Sequence, residues 1–312
     1  MENGIYFNLP EQQYFDEKRL SSTDIRRILE SPTSYWFNSN YNVLRKEQKS
    51  DFLESGKLFH AYILDRKNFE NNYRVTPEEI DKLNKNSNEY KTWRVLQCKE
   101  VVPYKKFKEM ELIVKYLEQP QQLLYNDVFK NGFPEVSIFW EYNGIPCKQR
   151  VDYLKLTQYL DLKTYIKNKN GNLDNYVAKY FYAYKVYIQL YFYGLGIKAA
   201  KQFTIEQVHG TAEQKRFFKS WCEQEIELPI VVFVNRELPQ FRIKTFIKED
   251  CPDLYRIAEK QTNQAISIFK KYSEEKGVFS AWLENIDTSN ISFKDNDFPQ
   301  SFYDILEGEN YE

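Results

Sequence analysis

The sequence predicts an α/β fold, a mixed central sheet flanked by helices, and three observations carry that expectation. Asn143-Gly144 lies between two strand-like runs, and both residues tolerate the positive φ of a two-residue type I′ turn. A third such run at 159–165 is followed by a switch to helical spacing over 172–194, where tyrosines recur at 176, 180, 184, 187 and 191. Further strand-like runs at 228–235 and 241–246 precede a long helical stretch.

In chain order, Ser21 or Ser22 can cap a helix whose apolar residues are Ile25, Ile28 and Leu29, and which ends before Pro32. A helical segment at about 52–64 precedes lysine-rich helices that run to about residue 115. In the hairpin, a two-residue loop sets Tyr142 against Ile145, and counting outward places Glu135 opposite Asp152, on one face. A second reversal centred between Leu156 and Thr157 would pair Asp152 with Asp161, and the two-residue strand period puts Lys163 on the same face as Asp161. That reversal has neither Gly nor Asn, and a bulge at Pro146 could shift the register, so the pairing stays open at this point. Strands are also expected at 201–206, 228–235 and 241–246, and a helix at 252–276 with acids early and lysines late, as the helix dipole favours.

Glu135, Asp152 and Asp161 on one sheet face repel one another, and their pKa values would rise unless a cation neutralises them. Mg²⁺ or Mn²⁺ suits such oxygen donors and can activate water and stabilise the charge of an in-line displacement at phosphorus. Lys163 would orient or deprotonate that water, or neutralise the transition-state charge. The alternative is a charged, solvated sheet face, which for an isolated Asp-x-Lys is the favoured reading.

Five blocks in fixed order resemble the PD-(D/E)XK nuclease superfamily, and most closely its exodeoxyribonuclease VIII (RecE-like) branch, used in phage recombination. They are Ser21-Ser-Thr-Asp-Ile-Arg-Arg-Ile-Leu-Glu-Ser-Pro32, Gly56-Lys-Leu-Phe-His60, Glu135-Val-Ser-Ile-Phe-Trp140, Arg150-Val-Asp152 with Asp161-Leu-Lys-Thr164, and Tyr184-Lys-Val-Tyr-Ile-Gln-Leu-Tyr-Phe-Tyr193. The resemblance implies a restriction-endonuclease-like core in which Asp152 and Asp161 bind metal through their carboxylates and Leu162 through its carbonyl, with His60 at or near the metal. It further implies catalysis by Lys163 and support from Glu135, Gln189 and Tyr193, the last two forming the Gln-x-x-x-Tyr pair of RecB-like nucleases, one helical turn apart. The reaction implied is Mg²⁺-dependent 5′-to-3′ digestion of double-stranded DNA ends, with a ring-shaped homo-oligomer and a single-strand annealing protein as partner. A structure-specific endonuclease of the same superfamily and a non-catalytic DNA-binding module are the other readings open at this point.

Single residues have ordinary explanations as well. His60 follows an apolar helical run and by spacing alone reads as a core histidine with a satisfied hydrogen bond. His209 reads as a loop residue, and most of the tyrosine stripe reads as core packing, with DNA stacking as its alternative.

Composition sets the outer limits. With 312 residues, 42% of them hydrophobic, the chain can bury one substantial core, expected to be a single nuclease domain at 1–283 with an N-terminal helical elaboration. Residues 284–312 read as an acidic tail, with eight acids against Lys294. Net charge is −1, yet seven lysines between 163 and 201 stand against Asp174 alone, a local excess suited to phosphates. Cys98, Cys147, Cys222 and Cys251 form no Cys-x-x-Cys pair, which argues against a zinc site, a disulfide scaffold or an iron-sulfur cluster. There is no membrane-length apolar run and no signal-peptide pattern, so the expectation is a cytoplasmic protein with no membrane partner.

Overall fold

The computed structural model describes residues 1–45, 51–119, 127–166, 172–225 and 228–283, with the backbone alone at 51–54. The chain begins with β1 (Gly4–Tyr6), α1 (Glu11–Asp16), α2 (Ser22–Glu30), α3 (Pro32–Asn38), α4 (Asp51–Leu64) and α5 (Arg66–Asn72). Next come β2 (Tyr73–Val75), α6 (Glu78–Asp81), α7 (Asn88–Val95), β3 (Glu100–Val102) and α8 (Tyr104–Leu117). The central strands are β4 (Gly132–Tyr142), β5 (Ile145–Lys155) and β6 (Gln158–Tyr165), followed by α9 (Leu173–Ala183) and α10 (Val186–Ala200). The chain closes with β7 (Val208–His209), α11 (Ala212–Cys222), β8 (Leu228–Asn235), β9 (Phe241–Thr245) and α12 (Pro252–Lys276).

Asn143 and Gly144 have φ of 52° and 79°, as a type I′ turn requires. The hairpin they close pairs Tyr142 with Ile145 and keeps one register to Gly132 opposite Lys155, so Pro146 introduces no slip. Seven strands follow the order β7-β1-β4-β5-β6-β8-β9, antiparallel except for β1 with β7 and β6 with β8. The sheet is therefore mixed, with a helical layer on each face. On one side Tyr159, Tyr165, Val231 and Phe233 join the core made with α2, α10 and α12. On the other, Leu160, Leu162, Val232 and Val234 pack with residues of α4 and α8. The alternation along β6 is the two-residue strand period made visible.

The N-terminal segment is pinned to the hairpin by two strand cations. Lys148, almost fully buried, donates from Nζ to the carbonyls of Tyr14 at 2.9 Å and Glu17 at 2.8 Å, and Arg150 reaches the Leu9 carbonyl at 3.0 Å. Leu20 bridges to Cys147 along the part of β5 that β6 leaves uncovered, which brings the start of α2 to the sheet. Ser21 caps α2 in a box with Asp24.

Several sequence expectations are corrected. Residues 201–206 do not form a strand: Thr204 opens a 3₁₀ turn at Ile205–Gln207, and the strand is the two-residue β7 that follows. His209 thus lies in an edge strand, stacked on Tyr6 with ring centroids 4.0 Å apart. The stretch 172–194 is two helices, broken where Lys185 takes φ of 50°. Pro32 ends α2 but also starts α3, capped by Ser31. The expected acidic tail, 284–312, falls outside the described residues. No helix among the described residues is long and apolar enough to cross a membrane.

Candidate active site

The site lies where the ladder around Asp152 is interrupted on both sides. On β4 the pairs Pro134 with Tyr153 and Val136 with Val151 flank a gap, because Glu135 takes a left-handed φ of 53°. On β6 the pairing with β5 stops at Tyr153 and Leu160, one step before Asp152 and Asp161. The register predicted from the two turns is therefore correct at both seams, while the hydrogen bonds expected at the acidic pairs are absent. Into the opening the Asp152 Oδ2 reaches across to accept the Leu162 N–H at 2.6 Å.

Three side chains converge here. His60 from α4, Glu135 from β4 and Asp152 from β5 each offer one ligand atom, all within 4.8 Å of one another. His60 Nδ1 stands 3.8 Å from Asp152 Oδ2. Gly56, one turn before His60, faces Thr164 on β6, whose Oγ1 would lie 3.5 Å from a Cβ at that position, an ordinary contact. Burial, and then the charge of Asp152, push the Glu135 carboxyl up to about 7. Burial and the charge of Asp161 raise Asp152 in the same direction, and burial holds His60 toward its neutral form. Two crowded carboxylates beside a neutral imidazole are a donor set that a divalent cation would satisfy, since the ion supplies the charge the cluster lacks.

Asp161, Lys163, Gln189 and Tyr193 form a second, adjoining group. Asp161 is fully buried, with Lys163 Nζ at 2.9 Å from Oδ1 and 2.8 Å from Oδ2. Gln189 on α10 donates from Nε2 to Asp161 at 2.7 Å and to the Tyr193 hydroxyl at 3.0 Å, while its Oε1 accepts from Lys163 at 3.0 Å. Every polar atom of the amide is used, which fixes its orientation. The Tyr193 phenol is raised well above its usual range by burial, and then by Asp161, so it stays neutral.

All eight residues singled out from the sequence, His60, Glu135, Asp152, Asp161, Leu162, Lys163, Gln189 and Tyr193, thus lie in this region, in two groups joined through the Asp152 to Leu162 bond. Glu135, assigned a supporting place, sits among the ligand atoms, and the Asp161 carboxylate faces Lys163 and Gln189. Sequence reasoning gave Arg150 no role. Its Nε donates to Glu135 Oε2 at 2.6 Å. The signal was present: with Glu135 opposite Asp152, Arg150 occupies the diagonal cross-strand position, where opposite charges meet.

A family model described as a PDDEXK-like domain of unknown function (DUF3799) matches residues 21–221. A crystal structure of a "putative exonuclease" from Eubacterium rectale has a TM-score of 0.52 to this chain at 14% sequence identity, covering 96% of this chain and 99% of that one. At that identity the likeness speaks for the fold. The structure of Scheffersomyces stipitis Rai1 in complex with (3'-NADP)+ and calcium ion covers 88% of this chain and 76% of that one at 11% identity, with a TM-score of 0.25 too low to carry an argument. No curated protein matches the sequence.

Proposed function

Because the chain belongs to the family of PDDEXK-like domains of unknown function (DUF3799), which supports a nuclease-type function, we propose that it is a metal-dependent DNA exonuclease. The observation that carries the reading is the convergence of His60, Glu135 and Asp152 beside a lysine locked between Asp161 and Gln189. Residues 1–283 act as one domain in this reading. Its substrate is the end of linear duplex DNA, digested 5′-to-3′ as in RecE-like enzymes, with a homo-oligomer and a single-strand annealing partner.

His60, Asp152 and Asp161, the Leu162 carbonyl and the adjacent Glu135 would hold Mg²⁺ or Mn²⁺. Such an ion supplies Lewis acidity toward a phosphoryl oxygen and toward water. Main-chain geometry suits Leu162 to this place: in an extended strand the N–H and C=O of one residue project to the same edge, here the opening that Asp152 spans. The chain's own groups do the rest. Lys163 presents an ammonium to the developing negative charge or to the attacking water. Asp161 and Gln189 hold that ammonium, and Tyr193 holds Gln189. Water oxygen bonds to phosphorus, the bond to the leaving sugar oxygen breaks, and a proton passes to that oxygen.

The test is digestion of linear duplex labelled at either end, with Mg²⁺, Mn²⁺ or EDTA, beside a covalently closed circle. Loss of label from the 5′ end, only with metal and only on the linear form, is expected. Cutting of the circle would instead identify an endonuclease. Binding without cleavage in every condition would identify a non-catalytic module.

A further inference from the structure

A cleft lies between α2 and the junction of α9 with α10, lined by Thr23, Arg26, Arg27, Glu30, Tyr184 and Lys185. Three cations face one carboxylate there, and Glu30 is already engaged by Lys185 at 3.2 Å. Arg26 is the unusual member. Its guanidinium donates to the Tyr184 carbonyl at 2.8 Å and to Thr23 Oγ1 at 3.0 Å, both neutral oxygens, and it forms no ion pair among the described residues. A half-buried guanidinium with no carboxylate partner keeps charge that the protein leaves unanswered, and burial weakens its hold on the proton. Lys185 adds a second cost, since a lysine held at φ of 50° occupies backbone space that glycine fills more readily.

The cleft and the acidic site share one helix. Lys185 stands at the start of α10, with Gln189 and Tyr193 four and eight residues later. A rise of about 1.5 Å per residue puts Lys185 about 6 Å along the axis from Gln189, the residue that touches Asp161 and Lys163. Arg26 lies close enough for Asp161 and Tyr193 to act on its charge. Beside the cations, Tyr184 is 56% exposed, with its ring centroid 4.3 Å from that of Tyr180.

We propose that this cleft is a phosphate subsite for the nucleic-acid strand, in which Arg26, Arg27 and Lys185 grip a backbone phosphate near the one held at the acidic site, and Tyr184 offers a face for the adjoining base. The planar guanidinium fork matches a phosphate's oxygens, and aromatic faces accept any base, so the contact is indifferent to sequence. This proposal rests on the nuclease reading and deepens it.

The experiment measures binding of the full chain to a fluorescein-labelled linear duplex by anisotropy, in EDTA so that nothing is cut, over a series of salt concentrations. The variants are Arg27→Gln, Lys185→Gly and their double, with Lys185→Gly chosen because glycine accepts the left-handed conformation and protects the fold. The double variant is expected to bind about tenfold or more weakly on every duplex sequence, with the log–log salt slope shallower by about one per lost phosphate contact. Tyr184→Ala should weaken binding while Tyr184→Phe retains it. Parent-like affinity and slope in the double variant would overturn the subsite. If the parent cleaves linear duplex with Mg²⁺ while the double variant binds as tightly as the parent, the subsite falls and the nuclease reading stands. A parent that neither binds nor cleaves duplex overturns both.

Discussion

The Asp152 carboxylate accepts the main-chain N–H of Leu162 at 2.6 Å, across the point where β5 and β6 have stopped pairing. A side chain here takes the place of a ladder hydrogen bond. That substitution ties a carboxylate to the strand carrying Asp161 and Lys163, and turns an interruption in the sheet into a place where acidic oxygens can gather.

Asp152→Asn should keep the bond to Leu162, because the amide oxygen still accepts, while removing one negative charge. Cleavage of labelled linear duplex is expected to fall about 10²–10³-fold, with the metal-free melting temperature unchanged or higher as repulsion with Asp161 is relieved. A rate within a factor of two of the parent would remove Asp152 from the chemistry.

Lys163→Met leaves the buried Asp161 with Gln189 as its remaining partner. Breaking a buried ion pair from one side costs about 3–5 kcal/mol, so urea unfolding should show a clear loss of stability. Cleavage should fall by a further factor of about 10²–10³ beyond what the unfolded fraction explains.

Arg150→Met removes the donor that fixes Glu135 Oε2. Partners that orient a ligand typically contribute about 10- to 100-fold in metal affinity. Calorimetric titration with Mn²⁺ should show a loss of that size, with duplex affinity in EDTA close to the parent's. Unaltered Mn²⁺ affinity would show that Glu135 needs no such hold.

The metal-free protein should lose stability as pH rises. Glu135 has a folded pKa of about 7, above the ordinary 4.5, so the folded state binds the extra proton. Stability from this group is therefore highest below about pH 4.5, declines across the window up to about 7, and is lowest above it. Added Mg²⁺ or Mn²⁺ should raise the melting temperature more at pH 8 than at pH 5, because bound metal favours the ionised carboxylate. An equal shift at both values would speak against a carboxylate site.

Gly196→Ala should destabilise the fold beside the site. A Cβ there would run into the side-chain amide of Gln149, which is fully buried and donates to the Tyr193 carbonyl at 3.1 Å. Overpacking of this kind costs about 1–3 kcal/mol, measurable as a lower urea midpoint.

What the sequence determined by itself is local. Asn143-Gly144 set the hairpin register, and with it Glu135 opposite Asp152, because two residues with positive φ permit few turns. The spacing of Gln189 and Tyr193 set them one turn apart, where a hydrogen bond joins them. Ser21 and Ser22 marked the start of α2 through their capping chemistry, and Ser21 is the one that caps it. The misread strand at 201–206 and the break at Lys185 show the limit of such reasoning, for neither a Thr204 turn nor a left-handed lysine announces itself in apolar spacing. Only the tertiary structure decided that the ladder opens around Asp152, that α4 brings His60 to it, and that Arg26 closes on the Tyr184 carbonyl. Turns and periods follow from sterics within a few residues, whereas these encounters depend on how distant layers share one core, and no short stretch of chain encodes that.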